Sequence, residues 1–283
     1  MEKQLKRILL LAALFFAVGI SDAQVFTPGD YRDGIYEKEN SVNRKFIPYT
    51  YLREGDVQWS KRVWREIDMR EKINQPLYYP LDYVSSRISF LQVLVQHIME
   101  GEIIAFNDEE FISPLNLADI KTKIRKQGDS VESSQFLPDG TEVFTKVLPP
   151  ADSLWMFRDF RSVTLKEEWF FDKQKSVMEV RVLGMGINTW DSEKELLFPQ
   201  FWVYFPACRP YLAMHEIFNT KNDAERRTYE DIFWKRQFNS NIIKESNVYD
   251  RGVNMYAKGI DALLENDRVK KEIFQYEHDF WHF

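Results

Sequence analysis

Apolar residues recur at every fourth position at the start of a highly charged stretch, residues 59–80, which reads WSKRVWREIDMREKINQPLYYP. Trp59, Val63 and Ile67 would share one face of a helix, and the charged residues would form oppositely charged pairs four positions apart on the other side. Prolines near the end of the stretch are suited to stop a helix. The pattern predicts an amphipathic helix, which is either a solvated surface helix with a core stripe or a helix that packs against neighbouring subunits.

Two further helices are predicted after this stretch, with a short strand between them. The first covers residues 81–100 and stops at Gly101, because glycine readily adopts the conformation that ends a helix. The strand lies at residues 103–106, and the other helix covers residues 113–125. A polar, turn-rich segment follows at residues 128–150, and we interpret it as a domain boundary or a surface loop.

Beyond residue 150 the periodicity becomes that of strands. Residues 163–171 and 176–183 flank a short polar turn, and the second segment contains the alternating sequence MEVRVL, so together they predict a β-hairpin. Residues 196–205 are more apolar and predict a more central strand, with Pro199 at its start or at an edge. Helical patterns return at residues 211–218, 224–243, 260–264 and 268–280. This order predicts an α+β fold in which helices flank a small antiparallel strand meander.

The N-terminal residues have the three-part pattern of a secretory signal peptide. Basic residues precede an apolar run, and small residues surround the expected cleavage site after Ala23. The apolar run is shorter than the roughly twenty residues that a membrane span needs, and no cysteine lies near the cleavage site to carry a lipid. We expect a signal peptide at residues 1–23, an irregular N-terminal arm at 24–56, a mainly helical part at 57–150, and a strand meander with C-terminal helices at 151–283.

Composition narrows the possible functions. The formal net charge is −6 at pH 7, which is opposite in sign to the basic footprint of nucleic-acid binding. Aromatic residues make up 15% of the chain, which is typical of a folded protein with many packing or interface side chains. Cys208 is the sole cysteine, so no internal disulfide is expected. A buried, inert thiol is the simplest interpretation, and an intermolecular disulfide or a reactive thiol is the alternative.

Histidine motifs in the sequence are incomplete as metal sites. His215 and Glu216 begin a zinc-protease signature, but Asn219 stands where the second histidine ligand is required. His278 and His282 are four residues apart, but no run of carboxylates or cysteines completes a site beside them. We therefore expect no metal.

Other catalytic patterns are equally incomplete. Gly184 and Gly186 resemble the start of a dinucleotide-binding loop, but the third glycine is missing, and we interpret them as the turn that ends the hairpin. Adjacent carboxylates such as Glu167 and Glu168 are frequent, but acid–base catalysis needs two environments that drive the pKa values apart. We expect no enzymatic activity and no cofactor.

Two long runs in the sequence resemble a known family. Residues 59–80, together with residues 233–252, which read FWKRQFNSNIIKESNVYDRG, are similar to the gliding motility protein GldN, called PorN in its non-gliding relatives. The resemblance extends over most of the chain that follows the signal peptide. It implies a periplasmic structural subunit of the type IX secretion system, which exports proteins across the outer membrane and supports gliding in some relatives.

The resemblance also implies partners and a location. Family members form a ring with an outer-membrane lipoprotein, GldK or PorK, and contact the inner-membrane motor protein GldM or PorM. The protein would then be held at the inner face of the outer membrane through the lipoprotein. Self-association in a ring is expected, whereas nucleic-acid binding and a direct membrane span are not.

A ring of identical subunits needs two different patches on each subunit, and the two family-like runs are natural candidates. Tryptophan and arginine are enriched at binding hot spots, and arginine pairs with carboxylates in a bidentate fork. The alternative for the first run is a solvated surface helix with a core stripe, and the alternative for the second run is plain structural packing. The candidate interface residues are Trp59, Trp64, Arg65, Arg70, Trp234, Arg236, Asp250 and Arg251.

Two alternative functions follow from the residues alone. One is an exported enzyme with an unrecognised carboxylate site, and the other is a periplasmic module that binds a glycan or a peptide through exposed aromatic rings. A binding module would raise its melting temperature with a soluble ligand, whereas an enzyme would lose activity on a single carboxylate change and keep its fold.

Overall fold

The computed structural model describes residues 44–124 apart from 83, 85 and 86, residues 131–136 and 142–147, and residues 155–280 apart from 192, 193 and 223. The expected signal peptide and residues 24–43 of the arm lie outside this range. The strands are β1 (Val57–Asp68), β2 (Ala105–Phe106), β3 (Val131–Phe136), β4 (Glu142–Val147), β5 (Phe160–Asp172), β6 (Val177–Asp191), β7 (Leu196–Tyr204), β8 (Glu216–Ile217), β9 (Arg227–Thr228) and β10 (Asn241–Glu245). The α-helices are α1 (Gln75–Tyr78), α2 (Phe90–Met99), α3 (Leu117–Ile124), α4 (Trp155–Arg158), α5 (Phe205–Met214), α6 (Tyr229–Trp234) and α7 (Ile260–Phe280).

Six strands form one antiparallel sheet in the order β10-β1-β5-β6-β7-β2. The predicted hairpin is confirmed as β5 and β6, and β7 continues it as a meander. Strand β1, from the N-terminal part of the chain, and β10, from the C-terminal part, extend the sheet on the far side of β5. The predicted α+β class is confirmed, and the sheet joins segments from both sides of residue 150.

Residues 59–80 do not form the predicted amphipathic helix. Their first part belongs to β1, the 12-residue strand Val57–Asp68, which pairs with β5 on one side and β10 on the other. Trp59, Val63 and Ile67 are four residues apart, and a spacing of four also keeps side chains on one face of a strand, whose period is two. Lys61, Arg62 and Arg65 form ion pairs with glutamates of the neighbouring strands instead of along a helix, so the same sequence pattern fits the sheet.

The long helix predicted for residues 224–243 is also wrong. Helix α6 covers only Tyr229–Trp234, and Arg236 beyond it has a left-handed backbone with φ of 52°. A left-handed residue commonly ends a helix. The chain then turns into β10, whose Ile242 is 3% exposed against β1. The neighbouring strand thus determines the structure of this segment.

The remaining helices differ from the predictions mainly in their bounds. Helix α2 starts later than predicted, at Phe90, because Ser89 and Gln92 form a capping box, and it stops at the predicted glycine, Gly101, with φ of 82°. Helix α5 overlaps the predicted 211–218 segment but starts earlier, at Phe205, and ends earlier, at Met214. The two short C-terminal helices are one continuous helix, α7.

Strand β7 was predicted to be central, but it lies next to β2, a strand of two residues at the sheet edge. Pro199 pairs with Asn188 beside an irregularity in the β6–β7 register, and bulges and edges are the places where proline is tolerated in sheets. The segment at 128–150, predicted as a loop or boundary, contains β3 and β4, which pair with each other as a separate two-stranded sheet.

Gly184 and Gly186 are not the turn that ends the hairpin, because both lie inside β6. A Cβ atom on Gly184 would lie 2.3 Å from Cζ of Phe111, and one on Gly186 would lie 2.8 Å from the indole ring of Trp202. The missing side chains therefore make room for two aromatic rings that pack on the strand.

The main core lies between the sheet and helices α2, α5 and α6, and it includes residues such as Ile67, Leu94, Leu165, Met185 and Leu212. A second, smaller cluster consists of Val63, Ile242, Val269 and Ile273, where α7 packs over β1 and β10. Among the described residues, none of the helices has the length and apolar character needed to cross a membrane.

Candidate subunit interface

A buried ionic cluster joins β1, β5 and the segment after α6. Glu167 has no exposed side-chain surface, and it accepts a hydrogen bond from Nε of Arg65 at 2.9 Å. Arg236 forms a bidentate fork on the same carboxylate, at 2.8 Å and 3.2 Å, and Trp169 donates its indole N–H at 3.2 Å. Burial lowers the pKa of Arg65, and Glu167 opposes that shift. Two candidate interface residues therefore meet on one carboxylate within the chain.

Trp64 lies on the opposite face of β1 and is also buried. Its indole N–H donates to Glu109 at 2.7 Å, and the ammonium groups of Lys244 and Lys166 lie 4.5 Å and 5.8 Å from its ring centroid. Trp64, Glu109 and Lys166 line a groove of about 760 Å³ that also includes Asp250. Trp64 therefore forms part of the floor of a polar groove rather than a projecting anchor.

Trp59 is half-buried beneath the C-terminal helix. Its ring centroid lies 5.1 Å from that of Tyr276 in α7, and the side chain packs on the small cluster around Val63. Lys61, on the same strand face, forms ion pairs with Glu245 at 2.8 Å and Glu272 of α7 at 3.6 Å. This face of β1 holds α7 in place.

Two other candidate residues are exposed on separate parts of the surface. Arg70 donates from Nε to both carboxylate oxygens of Asp68, at 3.0 Å and 2.9 Å. Trp234 is 44% exposed, and its ring stacks on Tyr49 of the N-terminal arm with centroids 5.7 Å apart. Tyr49 thus lies against its own chain, in the described part of the arm.

Asp250 and Arg251 lie in the loop between β10 and α7. Asp250 has a left-handed backbone with φ of 48° and pairs with Lys244 at 2.7 Å. The Arg251 guanidinium lies over two rings, 4.9 Å from the centroid of Tyr249 and 4.7 Å from that of Tyr256. The surrounding apolar side chains are exposed. We define the Tyr249 patch as Val248, Tyr249, Arg251, Met255 and Tyr256.

Arg209 is a structural residue that the sequence patterns did not identify. It is 1% exposed, its Nε donates to Glu230 at 3.2 Å, and its guanidinium lies 4.2 Å from the ring centroid of Tyr49 and 4.9 Å from that of Trp234. Buried arginines are rare and lie with carboxylate partners. The neighbouring Cys208 is buried as predicted, and burial raises the pKa of its thiol, which keeps it protonated.

His215 meets a histidine that is distant in sequence. Its Nε2 lies 3.1 Å from Nε2 of His97 in α2, and Nδ1 of His97 lies 2.7 Å from Glu102 and 3.3 Å from Glu100. Burial and the nearby His97 lower the pKa of His215. Asn219, at the position of the missing motif ligand, instead donates its amide to Glu225 at 3.1 Å. His97 and His215 are 118 residues apart in the sequence, so no motif of short spacing identifies the pair.

The described residues define an α+β protein in which ionic clusters fix the sheet to its flanking elements and a few aromatic and arginine side chains are left at the surface. The chain belongs to the GldN family, described as "Gliding motility associated protein GldN", which matches residues 52–282. The family consists of structural components of the gliding motility and type IX secretion machinery. A search of curated proteins finds no match.

Proposed function

We propose that the protein is a non-enzymatic, periplasmic structural subunit of the type IX secretion system, needed for the secretion of proteins across the outer membrane. The observation that carries this proposal is the family match over residues 52–282, which includes every strand of the six-stranded sheet and all of α7. The signal-peptide pattern of residues 1–23 supports export to the periplasm.

The partners in this proposal are a GldK- or PorK-like outer-membrane lipoprotein and a GldM- or PorM-like motor protein. The lipoprotein supplies the attachment to the outer membrane, and further copies of the chain complete a ring. A head-to-tail ring joins two different patches at each contact, and rotation of each copy relative to the last closes it.

The Tyr249 patch is our first candidate for such a contact. Tyr249 and Met255 are 75% and 76% exposed, and Arg251 is held between two tyrosine rings, which reduces the side-chain entropy that binding would cost. Tyrosine and arginine with apolar neighbours form the kind of centre that dominates binding energy at protein interfaces. Of the candidate interface residues, Arg251 belongs to this patch and Asp250 adjoins it.

The second candidate is the surface around Trp234. Its ring and that of Tyr49 line a groove of about 370 Å³ together with Ile47 and Arg181. Arg209 beneath the rings fixes their positions. An exposed tryptophan held by a buried cation is a rigid surface feature suited to a partner's apolar side chain.

We propose that Trp64, Arg65 and Arg236 support the surface and do not contact a partner directly. Their polar groups bind Glu109 and Glu167 of the same chain, so they support the surface from below. Substitution of these residues would affect assembly through the fold. Substitution of exposed residues is the sharper test of a contact.

The test is copurification of the mature chain with the lipoprotein partner from cells that express both. Tyr249→Ala combined with Arg251→Glu should abolish copurification while the melting temperature stays within a few degrees of the wild type. Tyr51→Ala is a matched control, since Tyr51 is 90% exposed outside the proposed patches. Undiminished copurification of the double variant would exclude the Tyr249 patch, and a wild-type chain with no affinity for the lipoprotein would contradict the proposed function.

A further inference from the structure

The end of helix α2 brings three metal-ligating side chains together. His97 lies in its last turn, Glu100 is the residue after it, and Gly101 with φ of 82° turns the chain so that Glu102 returns to the same side. Nδ1 of His97 and one carboxylate oxygen from each glutamate all lie within 4.8 Å of one another. Two ligands of a tetrahedral Zn²⁺ are separated by about 3.4 Å when each metal–ligand bond is about 2.0–2.1 Å. The distance of 3.3 Å from Nδ1 of His97 to Glu100 agrees with this separation, whereas Glu102, at 2.7 Å, lies at hydrogen-bond distance and would move outward to bind the same ion.

The other nitrogen of His97 has its own partner. Nε2 of His97 and Nε2 of His215 are 3.1 Å apart, so one of these two nitrogens carries the hydrogen and the other accepts it. When His97 is the donor, its Nδ1 presents a lone pair toward two carboxylates. A cation placed among these three groups removes the repulsion between them.

His215 is suited to be the acceptor in that arrangement. Nε2 of His215 lies within hydrogen-bond distance of Nε2 of His97, so a neutral His215 ring can accept the hydrogen that His97 donates. The Tyr211 ring packs on His97 with centroids 4.5 Å apart and fixes the plane of the imidazole. A histidine that binds a metal usually donates its second N–H to a neighbouring acceptor, which holds the required tautomer.

We propose that His97, Glu100 and Glu102 form a binding site for a divalent transition-metal ion of the Zn²⁺ class, with His215 as the hydrogen-bonding partner that orients His97. One imidazole and two carboxylates leave a fourth position for water. Glu100 and Glu102 keep 48% and 43% of their side-chain surface exposed, so the ion reaches the site directly from solvent. The ion would bind only the end of α2, and the hydrogen bond between His97 and His215 would connect the site to the residue that follows α5.

The experiment titrates Zn²⁺ into the chelator-treated mature chain and measures heat by calorimetry and melting temperature. We expect one ion per chain and a melting temperature that rises with Zn²⁺ concentration. The double variant Glu100→Gln with Glu102→Gln should lose both effects and still fold, because both side chains are partly exposed. His215→Ala should weaken binding about 10- to 100-fold without abolishing it.

A control variant distinguishes Zn²⁺ binding at this site from binding by another histidine. His278→Ala should bind Zn²⁺ as the wild type does, because its side chain is 63% exposed on α7 and belongs to a different part of the chain. The proposal is overturned if the wild-type chain binds no Zn²⁺. It is also overturned if the double glutamine variant binds as tightly as the wild type, since the cluster is then a hydrogen-bonded histidine and carboxylate group only.

Discussion

Arg236 donates two hydrogen bonds to the carboxylate of Glu167, at 2.8 Å and 3.2 Å, and thereby fastens the segment after α6 to strand β5. Arg236 is also the left-handed residue that follows α6, so the same residue turns the chain and supplies the cation. Arg65 approaches the carboxylate from β1. A single buried acid therefore holds two arginines from two elements.

Replacement of Glu167 by glutamine should destabilise the protein strongly. The variant keeps the side-chain size but leaves Arg65 and Arg236 without their anion in a buried setting, and breaking a buried ion pair costs about 3–5 kcal/mol. Urea denaturation at neutral pH measures the loss. Glu168→Gln is the matched control, because Glu168 is partly exposed and pairs with exposed Arg62 at 3.4 Å, and such pairs contribute about 0–1 kcal/mol. Equal losses of stability in the two variants would contradict a larger contribution from the buried ionic cluster than from an exposed ion pair.

Because Gly184 packs against Phe111, a smaller residue at position 111 should partly restore the stability that a side chain at position 184 removes. Gly184→Ala should cost about 1–3 kcal/mol, because the new Cβ would lie 2.3 Å from the Phe111 ring. The additional change Phe111→Ala removes the overlap, so the double variant should lose less stability than the sum of the single variants in a double-mutant cycle. Gly55→Ala is the control, since nothing lies within 4 Å of a Cβ at that position. Additive losses would contradict the contact.

Asp231 predicts a pH-dependent contribution to stability. Burial raises its pKa, but hydrogen bonds from Thr228 and the cations Arg44 and Lys235 outweigh this and hold the pKa below its ordinary value of 3.8. A lowered pKa stabilises the fold fully above the unfolded value, and the contribution is lost as pH falls from about 3.8 through the folded pKa.

Asp231→Asn should therefore reduce stability at pH 7 by about 1 kcal/mol, because the amide keeps an acceptor oxygen for Thr228 but loses the charge that pairs with Arg44 and Lys235. The difference from the wild type should shrink between pH 5 and pH 3 in urea denaturation. Asp261→Asn, at the exposed start of α7, should change stability by less than about 0.5 kcal/mol at either pH. A difference that stays constant down to pH 3 would contradict the assignment.

The two tryptophans Trp64 and Trp234 should respond differently to truncation. Trp64→Ala should cost about 3–5 kcal/mol, because the ring is 7% exposed and its N–H binds Glu109. Trp234→Ala should cost no more than about 1.5 kcal/mol, since the ring is 44% exposed and mainly stacks on Tyr49. Melting temperatures of the two variants provide the comparison, and similar values would contradict the burial of Trp64.

The sequence predicts the fold well where its pattern is compatible with only one type of secondary structure. The alternation in β6 and the polar turn before it identify a hairpin, and Gly101 marks the end of α2. The pattern of β1 is ambiguous, because apolar residues four apart fit both a helix and a strand. The charged residues of β1 are also compatible with both a helix and a strand, and the residues of β5 and β10 with which they form ion pairs are distant in the sequence.

The candidate interface residues were ambiguous in sequence for the same reason. Tryptophan and arginine occur both in binding hot spots and in buried ionic clusters, and local sequence does not separate the two. Arg236 does form the bidentate fork that its residue type favours, but with Glu167 of its own chain. The contact of His97 with His215 and the burial of Arg209 depend on long-range packing, so no local spacing reveals them.

Assembly into a ring can be observed by electron microscopy of the complex copurified with the lipoprotein partner. We expect closed rings that contain both proteins, and we expect these rings to be lost in the Tyr249→Ala, Arg251→Glu variant but kept in Tyr51→Ala. A monomeric chain that shows no association with the lipoprotein would overturn the proposed function.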